Sequence, residues 1–230
     1  KKVKRVVIKI GSSIFYSGKN KLNLKLFDQL VAQIVTLKKE GKEVIVVSSG
    51  AIALGMFALK MQERPKDLSY LQAAAAIGQN ELMHLYDQAF KKKKIRCAQV
   101  LLTWEDFSDR KRYLNAKNTL STLLNLGTIP VINENDTIST DEIKFGDNDQ
   151  LSSLVAGLTS ADLLIILSDV DGLLDKDMKT VIRLIDNINN EITSKANSTD
   201  KSTSVGGMIT KIKAARVCTE SGIACVIANG

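Results

Sequence analysis

Along the chain, short unbroken apolar runs alternate with longer stretches in which apolar residues recur every three or four positions. Val3–Ile10 is a continuous, largely β-branched run, the pattern of a strand covered on both faces. Leu22–Lys39 has helical spacing at Leu26, Leu30, Ile34 and Leu37, and Gly41 supplies its stop. Glu43–Val47 predicts a second buried strand, Ala51–Leu59 and Leu68–Phe90 two helices, and Ile95–Leu102 a third strand. Tyr113–Leu126 predicts a helix ended by Gly127, and Thr128–Ile132 a strand with Pro130 near its start. Ile138–Phe145 alternates as a hairpin arm would, Asp149–Leu158 returns to helix, and Asp162–Leu167 is again a strand. Gly172–Ile185 reads as a hairpin or an excursion, Gly207–Ser221 as a helix and Ile223–Ile227 as the last strand.

Strands alternating with helices imply an α/β fold, with an open, mostly parallel sheet sandwiched between helices in three αβα layers. No internal repeat interrupts the pattern. The polar stretch Lys195–Ser204 reads as a loop rather than a domain boundary. With 230 residues and 44% hydrophobic content, residues 1–230 can bury one large core and are expected to form a single domain.

Composition narrows the class. No apolar run approaches the roughly 20 residues that span a bilayer. The basic start Lys1-Lys2-Val3-Lys4-Arg5 is followed only by Val6–Ile10 before Gly11, too short for a signal sequence, so a cytoplasmic location is expected. Cys97, Cys218 and Cys225 lack C-x-x-C spacing, which argues against a disulfide framework or a zinc site and for a reducing compartment. The net charge of +7 raises the question of nucleic acid. Aromatics do not interleave with the basic runs as a stacking platform requires, and Lys91–Lys94 reads as a solvated helix end suited to the helix dipole. The charge favours anionic substrates such as nucleotides.

Two polar clusters carry the chemistry. Lys144–Leu151 (K-F-G-D-N-D-Q-L) packs Asp147, Asn148 and Asp149 behind a glycine, at the mouth of a helix. Like charges held so close are costly to bury unless they meet a cation. Asn133-Glu134-Asn135-Asp136 follows the apolar run Thr128–Ile132, and the carboxyl ends of buried strands are where open α/β sheets bind ligands. Three glycine-bearing turns join them: Lys9-Ile10-Gly11-Ser12-Ser13, Ser48-Ser49-Gly50-Ala51-Ile52 and Gly206-Gly207-Met208-Ile209-Thr210-Lys211. Glycine admits a phosphate close to backbone N–H groups, and a helix N-terminus adds its dipole. Neither a G-x-x-x-x-G-K-[ST] loop nor a G-x-G-x-x-G fingerprint is present.

The set V-V-I-K-I-G-S-S, V-V-S-S-G-A-I, L-N-A-K-N-T-L, P-V-I-N-E-N-D-T, K-F-G-D-N-D-Q-L, L-S-D-V-D-G-L and G-G-M-I-T-K-I-K-A-A resembles the amino acid kinase superfamily, and within it the glutamate 5-kinase branch. The resemblance runs from Lys4 to about Asn229, and the pairing of N-E-N-D with G-D-N-D is its most specific element. It implies ATP-dependent phosphorylation of the side-chain carboxylate of L-glutamate, the first step of proline synthesis, with Mg2+ carried by ATP rather than by protein ligands. An ionised carboxylate needs no general base, so the difficulty is bringing an anion up to a polyanion, which lysines and magnesium relieve.

The same resemblance implies roles for single residues. Lys9 and Lys211 would act on the transferring phosphate, and Asp149 would hold both lysines. Ser49, Gly50, Asp136, Asn148 and Asp147 would bind glutamate, Ser49 on a carboxylate and the acidic or amide groups on the α-ammonium. Lys9, Gly11, Ser168, Asp169 and Val205–Lys211 (Val205, Gly206, Gly207, Met208, Ile209, Thr210, Lys211) would line the nucleotide. Lys117 matches a position that is structural or lines an oligomer interface, while Asp171 and His84 receive no role. Expected partners are L-glutamate and ATP, a homo-oligomer (dimer or tetramer), and proline as a feedback inhibitor acting through Leu68–Phe90 and Asp109–Lys117. Many members of the branch continue into a PUA domain, and no such domain is expected within residues 1–230. Acetylglutamate, carbamate and uridylate kinases are the nearer alternatives, and a non-catalytic sensor or nucleic-acid binder the more distant one.

Overall fold

The apolar runs become six parallel strands: β1 (Arg5–Ile10), β2 (Glu43–Ser48), β3 (Cys97–Leu102), β4 (Ile129–Glu134), β5 (Leu163–Ser168) and β6 (Ala224–Asn229). The computed structural model describes residues 2–15, 22–139, 148–175, 179–198 and 207–230. The strands lie in the order β3-β4-β2-β1-β5-β6, every neighbouring pair parallel. Among the described residues the helices are α1 (Leu24–Lys39), α2 (Ala51–Ala58), α3 (Leu68–Lys91), α4 (Glu105–Ser108), α5 (Arg110–Asn125), α6 (Asn148–Leu158), α7 (Asn190–Ser198) and α8 (Met208–Glu220), with a 3-10 turn at Ser12–Phe15.

Strand alternation assigns the two faces of the sheet. Val6, Ile8 and Ile10 of β1 pack with Phe27, Leu30 and Ile34 of α1 and with Leu82, Tyr86 and Phe90 of α3. Val7 points the other way, into a cluster with Leu120 and Leu124 of α5, Leu151 and Val155 of α6, and Ala214 and Cys218 of α8. The result is the αβα sandwich expected from the sequence. Fully buried side chains such as Leu82 and Phe90 each contribute about 1.5–3 kcal/mol.

On the first face, α2 crosses α3 at backbone contact. A Cβ added to Gly55 would lie 1.8 Å from the Ala74 carbonyl oxygen, and one on Gly78 would lie 1.7 Å from that of Ala51. Pro130 is tolerated inside the sheet because of its register. Ile129 N–H donates toward β3, to the Arg96 carbonyl, so position 130 faces β2, and the β2–β4 pairing begins one residue later at Val46↔Val131.

Several expectations are corrected. The first two residues of the polar cluster after Ile132, Asn133 and Glu134, belong to β4 and are buried, because their pairing with Leu101 and Leu102 extends the ladder. The helix expected from Tyr113 starts at Arg110, because Asp109 caps it by accepting from Arg112 N–H at 2.8 Å. The short α4 was not anticipated; Asp106 in its first turn accepts from Thr103 N–H at 2.7 Å. The start of the polar stretch Lys195–Ser204 is helical, not loop. Ala196 is fully buried, Ile192 packs beside it, and Lys195 pairs with Asp175 at 2.8 Å. Residues 199–204 of that stretch, and 140–145 of the expected hairpin arm, lie outside the described residues. In the 172–185 segment one antiparallel bridge, Leu174↔Val181, stands for the expected hairpin. Lys91–Lys94 is exposed at the end of α3, as a solvated helix end.

Candidate active site

Four strands deliver polar side chains to one edge of the sheet. Lys9 is the second-last residue of β1 and shares the face of Val7, so its side chain runs beneath α6 instead of into solvent. Asp149 stands in the first turn of α6 and Lys211 in the first turn of α8, the carboxylate being well placed at a helix N-terminus. They meet in a buried bridge. Lys9 Nζ lies 2.6 Å from Asp149 Oδ1, and Lys211 Nζ 3.2 Å from Asp149 Oδ2. Thr210 Oγ1 also donates to Asp149 Oδ2, at 2.8 Å.

Burial raises the Asp149 carboxyl, but the charges of Lys9 and Lys211, with hydrogen bonds from Lys9 and Thr210, outweigh it and hold the group below its ordinary 3.8. Asp149 is therefore ionised at neutral pH. Two ammonium groups against one carboxylate leave the trio a net positive charge in a site shielded from water, which suits an anion.

A second network adjoins the first through the next residue. Asn148 Nδ2 donates to Ser49 Oγ and to Asn133 Oδ1, each at 2.9 Å. Among the described residues Asn148 Oδ1 has no hydrogen-bond partner although it is buried. Ser49 follows β2 and precedes Gly50, whose φ of 111° only glycine adopts readily, which turns the chain sharply into α2. Beneath this turn the fully buried Tyr86 hydroxyl donates to Ser48 Oγ at 3.0 Å, and Ser48 Oγ donates to the Ser49 carbonyl at 3.1 Å.

The remaining predicted positions are placed as follows. Gly11 closes β1; a Cβ there would come within 3.3 Å of the Leu167 carbonyl oxygen and 3.8 Å of Lys9 Nζ, so its absence keeps the space beside the ammonium open. Ser168 ends β5, buried, and donates to Asp169 Oδ1 at 3.0 Å. Gly207 caps α8 without a side-chain hydrogen bond, and Met208, Ile209 and Thr210 form its first turn. Asp136 sits half-buried in the turn after β4. Asp147, Val205 and Gly206 lie outside the described residues. Lys117 and His84 are exposed on α5 and α3, and Asp171 accepts from Asn229 Nδ2 at 2.8 Å.

Asn133, which the sequence marks only as part of a polar cluster and without a role of its own, and Gln79, which it does not mark at all, both join the Asn148 network, Asn133 Nδ2 donating to Gln79 Oε1 at 2.9 Å. The signal for Asn133 was an amide closing an apolar strand; Gln79 gave none. No group of three His, Cys, Asp or Glu able to hold a metal ion occurs among the described residues. The arrangement pairs a buried cationic trio with a buried carbonyl acceptor. It can hold a phosphate at the lysines and a hydrogen-bond donor at Asn148.

Comparison with known proteins bears on the family and the fold. A glutamate 5-kinase from Caldanaerobacter subterraneus subsp. tengcongensis is 50% identical over 231 residues, 98% of this chain and 62% of that protein. One from Geobacter metallireducens is 47% identical over 235 residues, 100% of this chain and 63% of that protein. The chain thus spans less than two thirds of the length of these curated relatives. The carbamate kinase from Giardia lamblia, solved bound to AMP-PNP, superposes with a TM-score of 0.67 at 16% identity, covering 99% of this chain and 93% of that one. The UMP kinase from Ureaplasma parvum gives 0.62 at 15% identity, covering 100% and 91%. These two show the fold alone. Residues 4–229 match the Amino acid kinase family, and the chain belongs to that family.

Proposed function

We propose that the chain transfers the γ-phosphoryl group of ATP to the side-chain carboxylate of L-glutamate, giving L-glutamyl 5-phosphate and ADP, the first step of proline biosynthesis. The observation that carries this reading is the buried Lys9–Asp149–Lys211 bridge set directly beside Asn148. Relatives at 50% and 47% identity named glutamate 5-kinase support the choice of acceptor.

A carboxylate oxygen of glutamate attacks the γ-phosphorus while the bond to the β,γ-bridging oxygen breaks, and ADP leaves with that electron pair. No proton moves in this step, so no general base is needed. Lys9 and Lys211 stabilise charge on the transferring group from opposite sides of Asp149, which keeps both ammonium groups in position. Magnesium carried by the ATP phosphates would offset part of their charge, leaving the rest to Lys9 and Lys211. Gly11, Ser168, Asp169 and the 205–211 segment surround the nucleotide. Ser49, Gly50, Asp136, Asp147 and Asn148 receive glutamate, with Asn148 Oδ1 accepting from its α-ammonium.

A single amino acid kinase domain over 1–230, a homo-oligomer, proline as an inhibitor and a cytoplasmic location belong to the same reading. Among the described residues no helix is long and apolar enough to cross a membrane.

The test is ADP release with Mg-ATP and a panel of acceptors: L-glutamate, N-acetyl-L-glutamate, L-aspartate, carbamate and UMP. Hydroxylamine traps an acyl phosphate as its hydroxamate. Turnover and hydroxamate with L-glutamate are expected. Turnover confined to another acceptor, or none at all, would overturn the reading.

A further inference from the structure

Asn148 does not choose its own orientation. Both hydrogens of its Nδ2 are engaged, one by Ser49 Oγ and one by Asn133 Oδ1. Ser49 cannot decide between the two ends of the amide, because a hydroxyl donates or accepts equally well. Asn133 can. Its carbonyl faces Asn148 because its own Nδ2 donates to Gln79 Oε1 at 2.9 Å. Gln79 Nε2 donates in turn to Gln99 Oε1 at 2.9 Å. Four side-chain amides therefore run head to tail from exposed Gln99 on β3, through Gln79 on α3 and Asn133 on β4, to Asn148 on α6.

The two ends of a primary amide are nearly identical in shape and opposite in hydrogen bonding. Packing cannot tell them apart; partners can. The direction of the relay leaves a carbonyl oxygen, Asn148 Oδ1, as the buried atom with no hydrogen-bond partner among the described residues. Reversed, the relay would present an NH2 group there and oppose a cation. The polarity seen here suits an acceptor that brings an ammonium group.

We infer that Gln79 is a positioning residue of the acceptor site, whose Oε1 fixes the amides of Asn133 and Asn148 so that a carbonyl meets the substrate's ammonium group. The inference rests on the functional reading that Asn148 faces the amino-acid acceptor.

Steady-state kinetics of three variants test it. Gln79→Met keeps the length of the side chain and loses the acceptor. It raises the KM for L-glutamate about tenfold, the worth of one hydrogen bond in the relay, with kcat and the KM for ATP within about twofold of wild type. Gln79→Glu, which still accepts from Asn133, restores the glutamate KM to within about threefold of wild type. Gln79→Lys, which can only donate toward Asn133, serves as a second loss variant should the Met variant fail to fold, with thermal melting as the check on folding. An unchanged glutamate KM in the folded loss variant overturns the inference. So does equal impairment of the Glu and loss variants, or a fall in kcat and ATP affinity together with glutamate affinity. A wild-type protein inactive on L-glutamate overturns the functional reading as well, whereas an active one with indifferent variants overturns this inference alone.

Discussion

Lys9 Nζ and Asp149 Oδ1 stand 2.6 Å apart, with side chains only 8% and 1% exposed, and Lys211 closes on the other oxygen of the same carboxylate. The carboxylate is thus the hinge between β1 and α8, elements 202 residues apart in numbering, from position 9 to position 211.

Asp149→Ala removes the carboxylate that two buried ammonium groups share and is expected to cost about 3–5 kcal/mol. Lys9→Met leaves Asp149 paired with Lys211 and costs less. Urea unfolding of both variants checks the order. If the chain runs the proposed phosphoryl transfer, Lys9→Ala and Lys211→Ala are each expected to lower kcat by about 10²–10³-fold through lost charge stabilisation, as ADP release would report.

The same carboxylate gives stability a definite pH dependence. Its folded-state pKa is depressed below 3.8, so the unfolded chain binds the proton more readily. The contribution is fully present above the unfolded value and is lost as pH falls through 3.8 toward the folded value. Urea midpoints of the wild type therefore fall on acidification below about pH 4, and those of Asp149→Asn fall less steeply there. A steeper fall in the Asn variant would contradict the assignment.

Gly78→Ala drives a Cβ to within 1.7 Å of a backbone oxygen of α2, which no rotamer relieves. The helices must part, at a cost near the upper end of overpacking, about 3 kcal/mol. Since Ala51 directly follows the Gly50 turn, a raised KM for the acceptor should accompany the lowered melting temperature.

Tyr86→Phe removes one hydroxyl and keeps the ring, edge-on to Phe27 at 5.0 Å between centroids. It leaves Ser48 Oγ without its donor, and a loss of about 1 kcal/mol in thermal or urea unfolding is expected.

Burial pushes the thiols of Cys97 and Cys218 up to about 11 and that of Cys225 to about 12. At neutral pH they hold almost no thiolate, so native alkylation should run about 100-fold slower than in guanidinium, as mass-tagging kinetics would read. Thiol modification is not expected to be a route to inactivation.

Much of the candidate site was legible because its parts break local rules. Lys9 ends a wholly apolar run, Asp149 shares a tripeptide with another acid, and Gly50 and Ser49 interrupt a strand-to-helix turn. Such residues are costly unless they meet a partner, and that cost marks them in the sequence itself. Gln79 breaks no rule; a glutamine on a helix is ordinary, and its role arises from Asn133, 54 residues away. The helix α7 was hidden for a similar reason. Its residues K-A-N-S read as a loop, and only the burial of Ala196 and the tie from Lys195 to Asp175 hold them helical.

The sequence by itself determined the six strands, the layers and the sheet edge at which the polar clusters gather, because apolar period and glycine turns are local properties of the chain. Tertiary structure alone decided which cation meets which oxygen and which end of each amide faces which neighbour. Those choices depend on partners brought together by the sheet order β3-β4-β2-β1-β5-β6, and a hydrogen bond has a direction that no spacing along the chain encodes.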